Sequence, residues 1–175
     1  MHPDTLFTDL VRPHFKILYR LAYRLSGNVH DAEDLFQDLL LKAYDRLDEL
    51  RDIENPRAWL ARVLYTQFID NRRRDSRSPL YLAVDNSAAE AEQSSAFNAE
   101  DNSAETGAIR DAEQQQLLRA LARLPDEQRT ILVLADIEGF TLTEMEVILD
   151  SPRGTVKSRL HRARARLREL LQSRF

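Results

Sequence analysis

Cysteine is absent from the 175 residues, which removes disulfides, thiolate metal sites and thiol nucleophiles together. Glycine occurs only 4 times, too rarely for an all-β fold built on tight turns. Long hydrophobic runs are also missing. The longest are about five residues, as in Ile131–Ala135, far short of the roughly 20 that a membrane helix needs. The opening MHPDTLFTDL lacks the basic start and apolar core of a secretory signal. A cytoplasmic protein without membrane insertion is therefore expected. His2, His14, His30 and His161 have no ligand spacing. No metal site, cofactor site or catalytic constellation is read from the chain, so an enzyme is the least favoured class.

Charge is plentiful: Asp, Glu, Lys and Arg make up 31% of residues, with a formal net charge of −4. Spread evenly, that balance would argue against a nucleic-acid partner. It is not spread evenly. Acids dominate between Pro79 and Arg110, whereas Arg153–Arg174 holds eight Lys or Arg and a single acid, Glu169. Local patches, not net charge, decide binding to a polyanion.

That basic segment lies mostly within Thr141–Leu171, which reads as two helices joined by a tight turn. Thr141 and Glu144 have capping-box spacing, and Leu142, Met145, Ile148 and Leu149 share one side. Ser151-Pro152 reads as a second start, a capping hydroxyl before a residue pre-set for the first helical position. Gly154 is expected to allow close approach of the helices. Arg162, Arg164, Arg166 and Arg168 alternate as a strand would, but Val156, Leu160, Ala163, Leu167, Leu170 and Leu171 recur at steps of three and four. The helical stripe, rich in Ala, Arg and Leu, decides for helix. It leaves Lys157, Ser158, Arg159, His161 and Arg162 facing outward. A basic second helix after a short turn is what a major-groove reader needs. A solvated amphipathic helix explains the charge but not the capped helix and turn before it.

The rest of the chain reads as helical too. Asp4–Leu25 is one helix, kinked or divided at Pro13 and ended at Ser26-Gly27-Asn28. Asp31–Leu50 is the next, with acids in its first turn and Leu35, Phe36, Leu39, Leu40, Ala43, Tyr44 and Leu47 inward. Asp34, Gln37, Asp38 and Leu41 lie on another side, which solvent or a partner could cover. Asn55-Pro56 starts a third helix as cap and first position, with Trp59, Leu60, Val63, Leu64, Phe68 and Ile69 buried. It ends in Arg72, Arg73 and Arg74. Tyr65, Thr66 and Gln67 beside that cluster suit single-stranded nucleic acid, although a core helix with a dipole-favoured basic end has the same pattern. Residues 78–107, poor in large apolar side chains, read as a flexible acidic linker. Asp111–Leu124, with Leu117, Leu118, Leu121 and Leu124 apolar, and Asp126–Ile137, stopped by Gly139, complete the second half.

Taken together, DAEDLFQDLLLKAY, NPRAWLARVLYTQFIDNRRR and LPDEQRTILVLADIEGFTLTEMEVILDSPRGTVKSRLHRARARL resemble the bacterial sigma factors of RNA polymerase, in the extracytoplasmic-function subgroup. The resemblance implies an all-α chain of two small helical domains. Residues 1–78 would be sigma region 2, 79–110 a flexible connector and 111–175 the helix-turn-helix region 4. It implies that Asp34, Gln37, Asp38 and Leu41 bind the polymerase clamp helices, and that region 4 meets the flap. Asp52, Ile53, Glu54 and Asn55 would form the loop that receives a flipped minus-ten base. Arg62, Tyr65 and Thr66 would contact opened promoter DNA, with Arg72, Arg73 and Arg74 on phosphates. Arg153, Thr155, Lys157, Ser158, Arg159, His161 and Arg162 would read the minus-thirty-five element. An anti-sigma factor is an implied partner, and the free protein an implied monomer. The chain departs from the pattern at Thr66, where many members have Asn, at Glu146, where a small residue is usual, and at Asp150, where Gly is frequent. Arg153 and Arg159 are candidate partners for Glu146. Two other functions fit parts of the pattern: a stand-alone helix-turn-helix regulator, which has no need of the acidic-apolar side of Asp31–Leu50, and an interaction module that binds an anti-sigma protein, which has no need of the basic clusters.

Overall fold

The structure is a computed structural model that describes residues 3–75, 116–117 and 119–172. The linker reading and the helix start expected at Asp111 lie outside the described residues. Every regular element among the described residues is helical.

Pro13 divides the first expected helix. Helix α1 (Pro3–Val11) passes through a 3₁₀ turn (Arg12–His14) into α2 (Phe15–Ser26). Proline cannot donate to the preceding turn, and its ring crowds it. Helix α2 buries Leu18, Leu21, Ala22 and Leu25, and Gly27 ends it at φ 82°, a conformation that only glycine adopts at little cost. Asn28 then caps α3 (Val29–Asp45): its Oδ1 accepts from the Asp31 N–H at 2.8 Å. The helix therefore starts before Asp31. It also fails to reach Leu50. It breaks at Arg46, and α4 (Leu47–Arg51) packs against α1 with Leu50 fully buried. Tyr44, expected inward, is 47% exposed and meets Phe7 edge-on.

Asn55 caps α5 (Pro56–Asp75) as expected, accepting from the Ala58 N–H at 3.1 Å. Helix α5 is covered on more than one side. Trp59, Leu60, Leu64 and Phe68 are buried, but so are Ala58, Ala61 and Gln67. It packs on α2 and α3, and also on a helix from the other end of the chain.

That second unit begins with Ala120, Leu121 and Leu124, all buried, while Leu117 is 37% exposed. Helix α6 (Asp126–Leu132) widens into a π turn (Val133–Ile137) rather than continuing as α-helix to Ile137. The Glu138 N–H donates to the Val133 carbonyl at 2.9 Å, and the extra residue in the turn buries both Leu134 and Glu138. Gly139 follows at φ 68°. Helix α7 (Leu142–Leu149) carries the full Thr141–Glu144 capping box, and α8 (Arg153–Gln172) buries Val156, Leu160 and Ala163.

The joint between α7 and α8 corrects two expectations. The Ser151 hydroxyl donates to the Leu149 carbonyl at 3.1 Å instead of capping α8, whose first N–H groups use the Pro152 carbonyl. Gly154 faces open space, so it serves no close helix approach. The tight joint is made instead by Asp150 at φ 48°, where Asp or Asn pays the least among residues with a side chain.

Leu39→Ala is expected to lower stability by about 2–5 kcal/mol, and Thr141→Ala by about 1 kcal/mol. Urea unfolding of the two variants tests this, and equal effects would contradict the assignment of Leu39 to the core.

Candidate polymerase and nucleic-acid interfaces

Helix α3 sorts its residues cleanly. Leu35 and Leu39 point into the core, and Asp34, Gln37, Asp38 and Leu41 are exposed on the remaining surface. Leu41 is 66% exposed. Exposed leucines are ordinary when single; Leu41 and Tyr44, both exposed, lie one turn apart among carboxylates. Tyr44, one turn after Leu41, extends the same face. The sequence reading missed it because its spacing from Leu40 and Leu47 also fits the inward stripe.

The turn before α5 keeps Asp52 and Glu54 exposed, with Ile53 packed against the core. Asp52 pairs with Arg51 at 3.3 Å. Asn55 has two duties: its Oδ1 caps α5, and its Nδ2 donates to Glu144 Oε1 at 3.4 Å.

Along α5 the expected DNA-contacting residues are brought together, but they are engaged. Arg62 Nη1 donates to the Val147 carbonyl at 3.1 Å and to Asp150 Oδ1 at 3.2 Å. Arg72 pairs with Asp126, which also accepts from Arg129. Arg74 donates to Asn71 at 2.8 Å, and Arg73 is exposed. Thr66 returns its hydroxyl to its own helix, at the Arg62 carbonyl, 2.9 Å away. Tyr65 is half-buried. Burial raises its pKa first and Glu127 second, while Arg159 and Arg73 oppose them. A neutral phenol within the electrostatic reach of Arg159 and Arg73 suits base stacking beside phosphate.

Three arginines outside the expected set join this contact. Arg57 lies 4.3 Å from the Phe140 ring centroid, donates to the Glu138 carbonyl at 3.2 Å and meets Glu144 at 3.6 Å. Arg20 and Arg24 on α2 grip Glu138. No local pattern announces these contacts, because the partners lie more than 80 residues apart.

Helix α8 is different. Arg153, Lys157, Ser158, Arg159, His161 and Arg162 are exposed, and Thr155 is half-buried. The Ser158 hydroxyl donates to the Thr155 carbonyl at 3.0 Å, and Arg162 Nε leans back to the Ser158 carbonyl at 3.5 Å. No carboxylate is paired with these cations among the described residues. Farther along, Arg164 grips Asp136 with two hydrogen bonds, at 3.0 and 2.5 Å, and braces α8 against the π turn. Glu146 is half-buried and pairs with neither Arg153 nor Arg159. Its backbone carbonyl accepts from Ser151 at 3.2 Å. No cluster of potential metal ligands occurs among the described residues, and no helix there is long and apolar enough to cross a membrane.

Residues 10–78 match the family Sigma-70 region 2, and residues 114–167 match Sigma-70, region 4. The chain is 38% identical over 168 residues to the ECF RNA polymerase sigma factor SigE of Mycolicibacterium smegmatis, covering 93% of this chain but only 60% of that protein. It is 33% identical over 167 residues to the ECF RNA polymerase sigma factor SigW of Bacillus subtilis, covering 95% of this chain and 89% of that one. Among solved structures, the sigma factor RpoE in complex with the anti-sigma factor NepR from Bartonella quintana superposes with a TM-score of 0.69 at 30% identity, over 97% of this chain and 98% of that one. CnrH in complex with the cytosolic domain of CnrY shares the fold, with a TM-score of 0.63 at 24% identity, over 97% of this chain and 89% of that one.

His14, in the turn before α2, has its pKa lowered from 6.5 by burial first and by Arg57 second. The unfolded chain then takes up the proton first as pH falls. The resulting stability is complete above about pH 6.5 and is lost as pH drops through the lowered value. Thermal melts at pH 7.5 and 5.5 are expected to differ less in His14→Leu than in the parent. An unchanged difference would remove His14 from the account.

Proposed function

The chain belongs to the extracytoplasmic-function sigma factors of RNA polymerase, and we propose that it binds core polymerase and directs initiation at promoters with a minus-ten and a minus-thirty-five element. The observation that carries this reading is the pairing of two surfaces in one chain. An exposed leucine sits among the acids of α3, and a bare basic face runs along the second helix of a capped helix-turn-helix.

Residues 1–78 are region 2 in this reading, 79–110 the connector and 111–175 region 4. Asp34, Gln37, Asp38 and Leu41 take the polymerase clamp helices, and Tyr44 extends that contact. Arg153, Thr155, Lys157, Ser158, Arg159, His161 and Arg162 read the minus-thirty-five duplex in the major groove. Arg62, Tyr65, Thr66, Arg72, Arg73 and Arg74 hold the opened minus-ten strand, and the turn from Asp52 to Asn55 takes one base out of the stack. Extrusion costs a few kcal/mol, so a prepared loop lowers the barrier to opening. The protein performs no catalysis itself. It works in the cytoplasm, on polymerase and chromosome, as a monomer until it binds. An anti-sigma factor is a further partner, as it is for RpoE.

Purified protein, core polymerase and a pool of genomic promoter fragments test the function directly. Transcripts that start at defined sites only when the protein is added are expected. DNA binding without any such initiation would leave a stand-alone regulator instead. Within the active complex, Arg162→Ala is expected to weaken the upstream contact by about 1–3 kcal/mol, with capture of core polymerase unchanged. Equal loss in both assays would remove Arg162 from the DNA-reading set.

A further inference from the structure

The arginines that alternate along α8, at Arg162, Arg164, Arg166 and Arg168, are not equivalent. Arg162 is exposed and leans back on its own helix. Arg166 pairs with Glu169 of the same helix at 2.8 Å. Among the described residues, only Arg164 pairs with a carboxylate of another element. Its Nε donates to Asp136 Oδ2 at 3.0 Å and its Nη2 to Oδ1 at 2.5 Å. A two-bond fork of this kind fixes direction as well as distance.

Direction is what the rest of the α8 contact lacks. Val156, Leu160 and Ala163 hold the helix on α6 and α7. Apolar burial is non-directional, so it fixes closeness better than roll about the helix axis. Arg164 follows the fully buried Ala163, and Lys157 stands two turns earlier on the same line of the helix. Holding Arg164 therefore also sets where Lys157 and its neighbours point. Asp136 is a firm anchor, because it projects from the π turn between the buried Leu134 and Glu138. Both side chains of the pair stay partly exposed, 49% for Arg164 and 39% for Asp136, so the pair contributes little to stability against unfolding. What it fixes is geometry.

We propose that Asp136 and Arg164 are positioning residues for the reading face of α8. The pair sets the roll of the helix on the π turn, so that the exposed side chains meet base edges in register, and Arg164 itself is not a DNA contact. The proposal rests on the reading of α8 as the duplex-binding helix and goes beyond it by dividing the arginines by task. A recognition constellation must be held to about 0.5 Å, whereas attraction to phosphate is insensitive to sequence. Loosening the pair therefore costs discrimination and leaves nonspecific binding alone. The rival view, in which Asp136 merely holds a cation back from DNA, gives the opposite sign.

The test uses the full chain and two probes. One is the 20-base-pair duplex that the parent enriches most from a random-sequence pool, and the other is a mixed-sequence duplex of the same length. Asp136→Asn leaves one acceptor and no charge. It is expected to bind the enriched duplex about tenfold more weakly than the parent, and the mixed duplex within about twofold. Arg164→Lys keeps the charge but not the fork, and the same result is expected. The slope of log affinity against log salt should match the parent's in both variants, since no phosphate contact is lost. Their thermal melts should match it as well.

Tighter binding of both duplexes by Asp136→Asn, with a slope steeper by about 1, would reveal a released phosphate-binding cation and overturn the proposal. Full retention of the enriched-duplex affinity in Arg164→Lys would do the same. A parallel loss on both duplexes with a lowered melt would reduce the pair to a structural brace, and a parent that enriches no sequence would leave nothing to position; either result also overturns it. Initiation with core polymerase is scored separately in the parent. Its absence sinks the sigma-factor reading, while a loss confined to the enriched duplex still upholds the positioning role.

Discussion

One buried carboxylate ties the halves together beside the packing of α7 on α5. Glu138 sits at the exit of a π turn, an insertion that costs regular helical hydrogen bonding and is tolerated only where packing repays it. Here the extra residue sinks Leu134 into the region 4 core and swings Glu138 toward α2. Had α6 continued as plain α-helix to Ile137, the residues after it would have turned by a different angle about the axis, and the acid would not meet Arg20 and Arg24 together. The local irregularity and the long-range ion pair are therefore one feature.

Helix α5 carries the other half of the constraint. A surface helix normally buries a single stripe. In α5, Ala58 and Ala61 are buried along with Trp59, Leu60 and Leu64. Small residues let α7 approach a second side, and the arginines that flank them turn to the helix-end carbonyls and acids of region 4. Arginine suits this double use. Its planar fork binds a carboxylate, a carbonyl or a phosphate with the same geometry. Gln67 and Arg57 Nε, buried without side-chain partners, record imperfect polar satisfaction in this helix and leave its closed packing weaker than its apolar burial alone suggests.

Much of this was legible in the sequence, for local reasons. The capping box at Thr141, the Asn55 cap, the Gly27 stop and the apolar stripe of α8 are patterns within one or two turns, and each stands where expected. The exposed face of α8 follows from that stripe by subtraction. The failures occur where the decision is made by distant residues. The break at Arg46 serves the docking of α4 on α1, and the exposure of Tyr44 reflects which side a neighbour happens to cover. Ser151-Pro152 and Gly154 carried start and packing signals, yet the left-handed Asp150 makes the turn. The occupation of Arg57, Arg62 and Arg72 was invisible, because charge spacing along one helix does not say which acids another helix will bring.

The asymmetry between the two faces proposed for DNA has a kinetic consequence. Duplex promoter offers its phosphates and major groove before any base is unpaired, so a face needed for first encounter gains from being open. Single strand exists only after melting. A strand-holding face left bare would meet RNA and stray single strands throughout the cell, with affinity set by nonspecific phosphate contacts. Covering it with acids of the same chain raises the free energy of those encounters equally, whatever their sequence. The α3 face proposed for polymerase lies clear of the α5–α7 contact, because Leu41 and its acidic neighbours are exposed while α7 lies on α5. In the proposed function, that face is therefore available to core polymerase while α7 lies on α5.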